Sequence, residues 1–423
     1  MRFLVLALAL TTATTSYASN LQLPANASLW VEGHKELSKN STLPRAPAST
    51  LKVLTALYAI DTLGLDYHFK TPLWIDKNGM LWVEGQGDPS ITSETLEAMA
   101  DYVKSRNIAQ ISGIGVDSSY YASNQIPDGI SETANPYDAM PAALILNYNT
   151  IFIKRVNGKI LSAEPQTPLT PTALFYAAKL QGNQERINLG NNPVDFQTYF
   201  AEQLRAQLEK KGITVRNLIK IAKTPANAHP IGNFENPKTL RDVLQDMLYY
   251  SNNIIANQLF LTLGAMQQGR PSTLEKSQLA MTNFVDEHFK WQQFHIEEGS
   301  GLSRKNHISA AQLGELLETF RPYQSLLKEF SPELQAKTGT LSDVSALAGY
   351  VKVNDQWVRF ALMMDHSGAP GLRFSLANAL RQQLAHSAPV KKKEQVAKAT
   401  ALKESSKLNK DLDKKESLAA LPN

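Results

Sequence analysis

Residues 47–52 read Pro47-Ala48-Ser49-Thr50-Leu51-Lys52, and they open a run to Leu63 with apolar residues at Leu51, Leu54, Tyr58 and Leu63. That spacing predicts a helix over Ala48 to Leu63, and Pro47 suits a helix start. Ser49 and Lys52 are three residues apart, so a helix places both side chains on one face within hydrogen-bonding reach. A serine hydroxyl is a poor nucleophile until a base takes its proton. A lysine can be that base when burial or a neighbouring charge lowers its pKa. A serine near a helix start also has backbone donors aimed at an incoming carbonyl.

The S-x-x-K pattern by itself is weak. It recurs at Ser325-Leu326-Leu327-Lys328, and Ser49 taken alone reads first as a helix cap. Two further motifs follow in order: Ser251-Asn252-Asn253 (S-x-N) and Lys337-Thr338-Gly339 (K-T-G). S-x-N also occurs at Ser38-Lys39-Asn40 and Ser105-Arg106-Asn107, whereas K-T-G occurs once. Order and context therefore carry the signal. Ser251, on a loop facing Ser49, can relay a proton to a leaving amine. The Asn253 amide can hold Lys52 and a peptide group. Lys337 and Thr338, on a strand edge, suit a carboxylate, and Gly339 lets a substrate backbone come close. The amides of Ser49 and Thr340 are the candidate oxyanion donors.

Working outward, the chain reads as α+β: helices against an antiparallel sheet assembled from both chain ends. Leu73-Trp74-Ile75 and Leu81-Trp82-Val83 flank Asp76-Lys77-Asn78-Gly79 as a hairpin. Helices are expected at Thr95–Ser105, Phe196–Lys211 and Ala310–Phe320, and two more around Ser251 within Leu240–Met266. A strand is expected near Ile111–Val116, and a pair at Gly349–Val353 and Trp357–Met364 joined by Asn354-Asp355. Ser49 and Ser251 lie 202 residues apart, Ser251 and Lys337 only 86. A loop of the first length inside one domain is not credible. A folded insertion is therefore expected at 71–224, leaving 19–70 and 225–387 as a discontinuous catalytic domain.

Arg2 and the apolar run Phe3–Leu10, with Ser16-Tyr17-Ala18 after it, read as a cleaved signal peptide over 1–18. The run is too short to span a bilayer. Export predicts an oxidising compartment, yet the chain has no cysteine. Disulfides, thiol nucleophiles and thiolate metal sites are excluded. The eight histidines show no ligand spacing, so no metal and no cofactor are expected. The net charge of +4 is matched by the segment 388–423, which holds nine lysines and five acids. A balanced body with a basic, apolar-poor tail does not suggest a nucleic-acid enzyme. The tail reads as disordered, either a plain solvated end or a weak contact with an anionic wall or membrane.

With these residues in view, the chain resembles the penicillin-binding protein 4 type of D-alanyl-D-alanine carboxypeptidase/endopeptidase (peptidase family S13, class C low-molecular-mass penicillin-binding proteins). The S-x-x-K, S-x-N and K-T-G order is the signature of penicillin-recognising serine acyl-enzymes. Further family-like stretches span Leu23 to Leu384: Gly85-Gln86-Gly87-Asp88-Pro89, Gly113 to Tyr121, Ala142 to Asn149 and, most specifically, Gly299-Ser300-Gly301-Leu302-Ser303-Arg304. The resemblance implies a β-lactamase/transpeptidase-like domain interrupted by a large insert, with a small third domain nested inside it. The segment Thr150–Asp195 is short for that, so the nested domain is expected to be reduced or missing. Asn252 stands where aspartate is common. An acid of the family's insert can meet a diaminopimelate amine. Glu132 or Asp138 falls in the corresponding stretch, against the plainer reading of a surface acid. The Gly299–Arg304 stretch is read as a tight turn beside the cleft, with an orienting role for Arg304 as the alternative.

The resulting expectation is a periplasmic serine DD-peptidase with Ser49 as nucleophile, Lys52 as base, Ser251 and Asn253 in proton transfer, and Lys337, Thr338, Gly339 and Thr340 in substrate binding. Its partners are peptidoglycan peptides and β-lactams. The alternatives are a β-lactamase- or esterase-like hydrolase and a non-catalytic muropeptide-binding protein.

Overall fold

Val53, Leu54, Ala56, Leu57, Ala59 and Ile60 make the helix that follows Ser49 apolar on every side. Such a helix belongs in the middle of a body. In the computed structural model, which describes residues 21–365 and 369–387, it does lie there. A 3-10 turn, Ala48–Leu51, leads into the α-helix Lys52–Leu63, buried as far as Ile60. The expected signal peptide and the basic tail fall outside the described residues.

Three helices surround it: Leu240–Tyr250, Asn253–Gln268 and Ala310–Phe320. Each begins on a side-chain cap, from Thr239, Asn252 and Ser309 respectively. Two of these caps are reciprocal boxes, with Asp242 and Gln312 reaching back.

The sheet of this body runs in the order Ser28–Val31, Gln356–Met364, Val344–Val353, Leu334–Leu341, Lys328–Ser331. Strand Ser28–Val31 pairs antiparallel with Phe360–Met363, so the two chain ends build one sheet as expected. Asn354 and Asp355 both have left-handed φ, of 48° and 63°, which gives the tight turn between its two longest strands.

A second sheet runs His229–Thr239, His68–Ile75, Leu81–Glu84, Ile114–Asp117, Ile219–Ile221. The chain leaves along His68–Ile75 and returns antiparallel along His229–Thr239. The hairpin partner Leu81–Glu84 starts a parallel run through Ile114–Asp117 to Ile219–Ile221. Helices Ser93–Lys104 and Pro193–Lys210 lie along the connections. A core of its own, including Val83, Leu96, Met99, Phe200 and Leu204, fills this part. Between Thr150 and Asn188 the chain forms a small antiparallel sheet of Thr150–Val156, Lys159–Ser162 and Gln184–Asn188 with one short helix, Pro171–Tyr176.

One expected element is split. The strand near Ile111–Val116 is two strands, Gln110–Ile111 on Thr214–Val215 and Ile114–Asp117 in the large sheet. Gly113 divides them at φ 155°, and a Cβ there would sit 2.5 Å from the Leu218 carbonyl. No other residue fits that backbone, so strand periodicity alone could not show the break.

By contacts, the chain falls into a large unit, Leu23–Lys352 with Trp357–Phe374, and a small one holding Val353–Gln356 and the described part of Ser375–Asn423. Every candidate site residue belongs to the large unit. Leu54→Ala in the central helix is expected to cost about 2–5 kcal/mol, as for a fully buried leucine, and urea unfolding measures it.

Candidate active site

Ser49 sits in the 3-10 turn and Lys52 is the first residue of the α-helix. Their side chains meet, with Lys52 Nζ 2.9 Å from Ser49 Oγ. Nζ also donates to Asn253 Oδ1 and to the Ser300 carbonyl, both at 2.7 Å. Lys52 is fully buried. That burial, reinforced by the nearby Lys337 cation and opposed by Glu298, drives its pKa well below that of an ordinary lysine. Asn253 Oδ1 and the Ser300 carbonyl fix two directions of Nζ, and the third faces Ser49 Oγ.

Ser251 ends helix Leu240–Tyr250 in a left-handed conformation, φ 56° and ψ 40°. This turns its hydroxyl into the cleft, where Lys337 Nζ donates to Ser251 Oγ at 2.8 Å. Asn252 caps the next helix through Ile255 N at 3.2 Å. Asparagine caps as well as aspartate, which accounts for the departure at that position. Asn253, the first residue of that helix, uses both ends of its amide: Oδ1 on Lys52, and Nδ2 donating to the Tyr137 carbonyl at 3.2 Å.

Lys337 to Thr340 lie on strand Leu334–Leu341. One side of the strand pairs with Val344–Val351 along its whole length. On the other side the pairing with Lys328–Ser331 stops at Ala336. The K-T-G stretch is thus an edge inside a sheet, where an extended chain can add as a further strand. Lys337 is nearly fully buried. Burial, then Arg373 and Lys328, lower its pKa to about 7.

Two glycines let these segments meet. A Cβ on Gly301 would lie 1.9 Å from the Ala48 carbonyl, and one on Gly339 would lie 2.7 Å from the Pro47 carbonyl. Ala48 itself is held at φ 47°, an uncommon conformation for a residue with a Cβ.

The Gly299–Arg304 turn is a wall of the site, and its Ser300 carbonyl accepts from Lys52 Nζ. Sequence reasoning missed what shapes it. The buried Glu298 carboxylate accepts from Ser300 N at 2.8 Å, Ser300 Oγ at 2.5 Å, Gly301 N at 2.7 Å and Asn306 Nδ2 at 2.8 Å. An acid directly before Gly-Ser-Gly was the available signal. Arg373 was missed too. It donates to the Gly339 carbonyl at 2.8 Å and Thr340 Oγ1 at 2.7 Å, and nothing local in the sequence points to it. Arg304 binds Ser342 and Asp343 at the surface, with no bond to the catalytic candidates. The chance motif ending at Lys328 is not inert: its Nζ lies 4.4 Å from the Tyr249 ring centre and it acts on Lys337.

Of the two acids weighed for a diaminopimelate amine, Asp138 is buried and accepts from Ser131 N and Thr133 Oγ1, holding its own loop. Glu132 accepts from Asn191 Nδ2 at 3.2 Å and stays exposed.

The chain matches the model of the D-Ala-D-Ala carboxypeptidase 3 (S13) family over residues 31–188, 177–334 and 328–383. A D-alanyl-D-alanine carboxypeptidase of Actinomadura sp. (strain R39) is 24% identical over 84% of this chain and 80% of its own. The crystal structure of penicillin binding protein 4 from Haemophilus influenzae superposes with a TM-score of 0.69 at 20% identity, covering 86% of this chain and 97% of that one. The same protein complexed with a β-lactam gives 0.63 at 20% identity, covering 86% and 96%.

Glu298→Ala strands several buried N–H groups, each worth about 1–3 kcal/mol. It is expected to lower unfolding stability by at least about 3 kcal/mol and to slow acylation of Ser49 by an activated ester. Urea titration and mass spectrometry of the adduct read the two effects.

Proposed function

The chain belongs to the D-Ala-D-Ala carboxypeptidase (S13) family of serine-type peptidases, and from that premise we propose that Ser49 forms an acyl-enzyme with D-alanyl peptides of peptidoglycan. The observation that carries this is the disposition of Lys52: a buried amine whose Nζ lies 2.9 Å from Ser49 Oγ and is held there by Asn253 Oδ1 and the Ser300 carbonyl, both at 2.7 Å. Burial lowers the pKa of a lysine so placed and so favours its use as the base for Ser49.

In this reading the substrate backbone pairs along Lys337–Thr340 as an added strand. Its terminal carboxylate meets Lys337 and Thr338. Lys52 takes the Ser49 proton as Oγ attacks the carbonyl, and the Ser49 and Thr340 amides hold the oxyanion. Ser251, joined to Lys337, relays to the departing amine the proton that Lys52 took from Ser49, and the C–N bond breaks. Water then displaces the acyl group and restores Ser49. Two leaving groups fit this scheme: a terminal D-alanine (carboxypeptidase) and the side-chain amine of a diaminopimelyl crosslink (endopeptidase). A β-lactam offers the same carboxylate and acyl carbon, and its tethered leaving group makes the adduct long-lived. We place this activity in the periplasm, after removal of residues 1–18. Among the described residues no helix is long and apolar enough to cross a membrane. The domain limits given above (19–70 with 225–387, and 71–224) belong to the same proposal.

Fluorescent penicillin is expected to label the wild type at Ser49. Ser49→Ala abolishes the label, and Lys52→Met slows it by about 10²–10⁴-fold, the usual worth of a general base. An unlabelled, folded wild type sinks the reading. Digestion of pentapeptide and crosslinked muropeptides then divides the two leaving groups.

The pH dependence has a definite sign. Lys337 has a depressed pKa of about 7, so it is cationic below that pH and neutral above it. kcat/KM for a carboxylate-terminated peptide is expected to fall as pH rises through about 7. A peptide amidated at that carboxylate lacks this limb, because it does not use the charge.

A further inference from the structure

The parallel strands Leu81–Glu84, Ile114–Asp117 and Ile219–Ile221 end on a common edge of the second sheet. Sheets with parallel strands place ligands outside such carboxyl ends. A cavity of about 260 Å³ lies there. Ser118 and Ile126 line it after the middle strand, Ile221 at the end of the last, and Met140, Asn191, Phe196 and Gln197 from the segments between.

Three polar atoms in these walls lack a partner among the described residues: Ser118 Oγ, Asn191 Oδ1 and Gln197 Oε1. Gln197 is only 6% exposed. Buried polar atoms are normally paired, because leaving one unpaired is costly. Three in one cavity therefore point to a ligand that pairs them. Asp117, at the same strand end, is already satisfied by Ser119 N and Thr224 N. Thr224 Oγ1 is a fourth unpaired atom. It lines an adjoining cavity of about 510 Å³ that shares Asp117, Ser119 and Lys223 with the first.

The chemistry of the walls narrows the ligand. Two amide oxygens demand N–H or O–H donors, and a serine hydroxyl pairs with either kind of group. Ile126, Met140, Phe196 and Ile221 offer apolar surface for a methyl group or the C–H face of a ring. The volume suits one ring with a small substituent. We propose that this cavity binds an N-acetylated amino sugar, whose hydroxyls and acetamide N–H meet Gln197, Asn191 and Ser118 and whose methyl meets the apolar wall. Assigning that sugar to the glycan of the polymer that Ser49 cleaves rests on the function proposed above. A route for alignment exists. Asn191 also binds Glu132, and the segment from Glu132 reaches Tyr137, whose carbonyl is held by Asn253. A sugar in the cavity and a peptide at Ser49 would thus flank one loop.

The test is titration of the full protein with a β-1,4 tetramer of N-acetylglucosamine, followed by NMR. Cellotetraose is the control, with the same ring and linkage but no acetamide. Saturable binding at least about tenfold tighter than cellotetraose is expected. Gln197→Leu and, separately, Ser118→Ala are expected to weaken it by about tenfold while penicillin acylates Ser49 at the wild-type rate. No saturable binding, equal affinity for both oligomers, or full binding by both variants overturns the proposal. So does displacement of the sugar by a stem tetrapeptide, which would make the cavity a peptide site. Sugar binding without acylation of Ser49 would instead overturn the catalytic reading and leave the cavity assignment standing.

Discussion

Lys52 Nζ is a basic group placed where a cation is least welcome. It is fully buried, stands at the start of a helix whose dipole disfavours positive charge, and has Lys337 nearby. Much of the structure around it follows from making an amine tolerable there. Asn253 comes from the helix that begins just past Ser251, and the Ser300 carbonyl from a turn shaped by Glu298. Both acceptors must be fixed in advance, since an amine left without them would carry the cost of unpaired N–H groups in a dry place. Glu298 does this at a distance, by gripping the backbone of the turn, and as a charge it tempers the depression of the Lys52 pKa.

Bringing three remote segments to one point is a problem of backbone volume. Pro47–Ser49, Ser300–Gly301 and Gly339 approach so closely that a Cβ at either glycine would overlap a main-chain carbonyl. The glycine of the K-T-G motif therefore has two duties. It leaves the strand edge free of a side chain, and it lets the sheet touch the turn that carries Ser49. Arg373 ties the same strand edge from outside, through Gly339 and Thr340. It also helps to hold the Lys337 pKa near neutrality, so structural support and electrostatic tuning come from one side chain.

The fold was readable where it depended on periodicity. The central helix, the Ala310–Phe320 helix, the paired helices around Ser251 and the hairpin of Leu73–Val83 follow from apolar spacing and turn chemistry within a few residues. The break at Gly113 was not, because its cause is the Leu218 carbonyl, about a hundred residues away in sequence. The motif residues were readable as a set, and the structure brings them into two hydrogen-bonded groups, Ser49–Lys52–Asn253 and Ser251–Lys337, with the Lys337 charge acting on Lys52. Glu298 and Arg373 escaped for a common reason: each acts on the backbone of a motif rather than belonging to one.

The sequence by itself determined which chemistry was available. A serine and a lysine one helical turn apart, an asparagine and a second serine, and a lysine on a strand are local facts, set by covalent order and by the period of a helix. Tertiary structure alone decided whether that chemistry could be used. Burial of Lys52, the neutralising pull on Lys337, the two carbonyl acceptors and the open edge beyond Ala336 all depend on groups far apart in the chain. A pKa is a property of surroundings, and the surroundings exist only once the chain has folded.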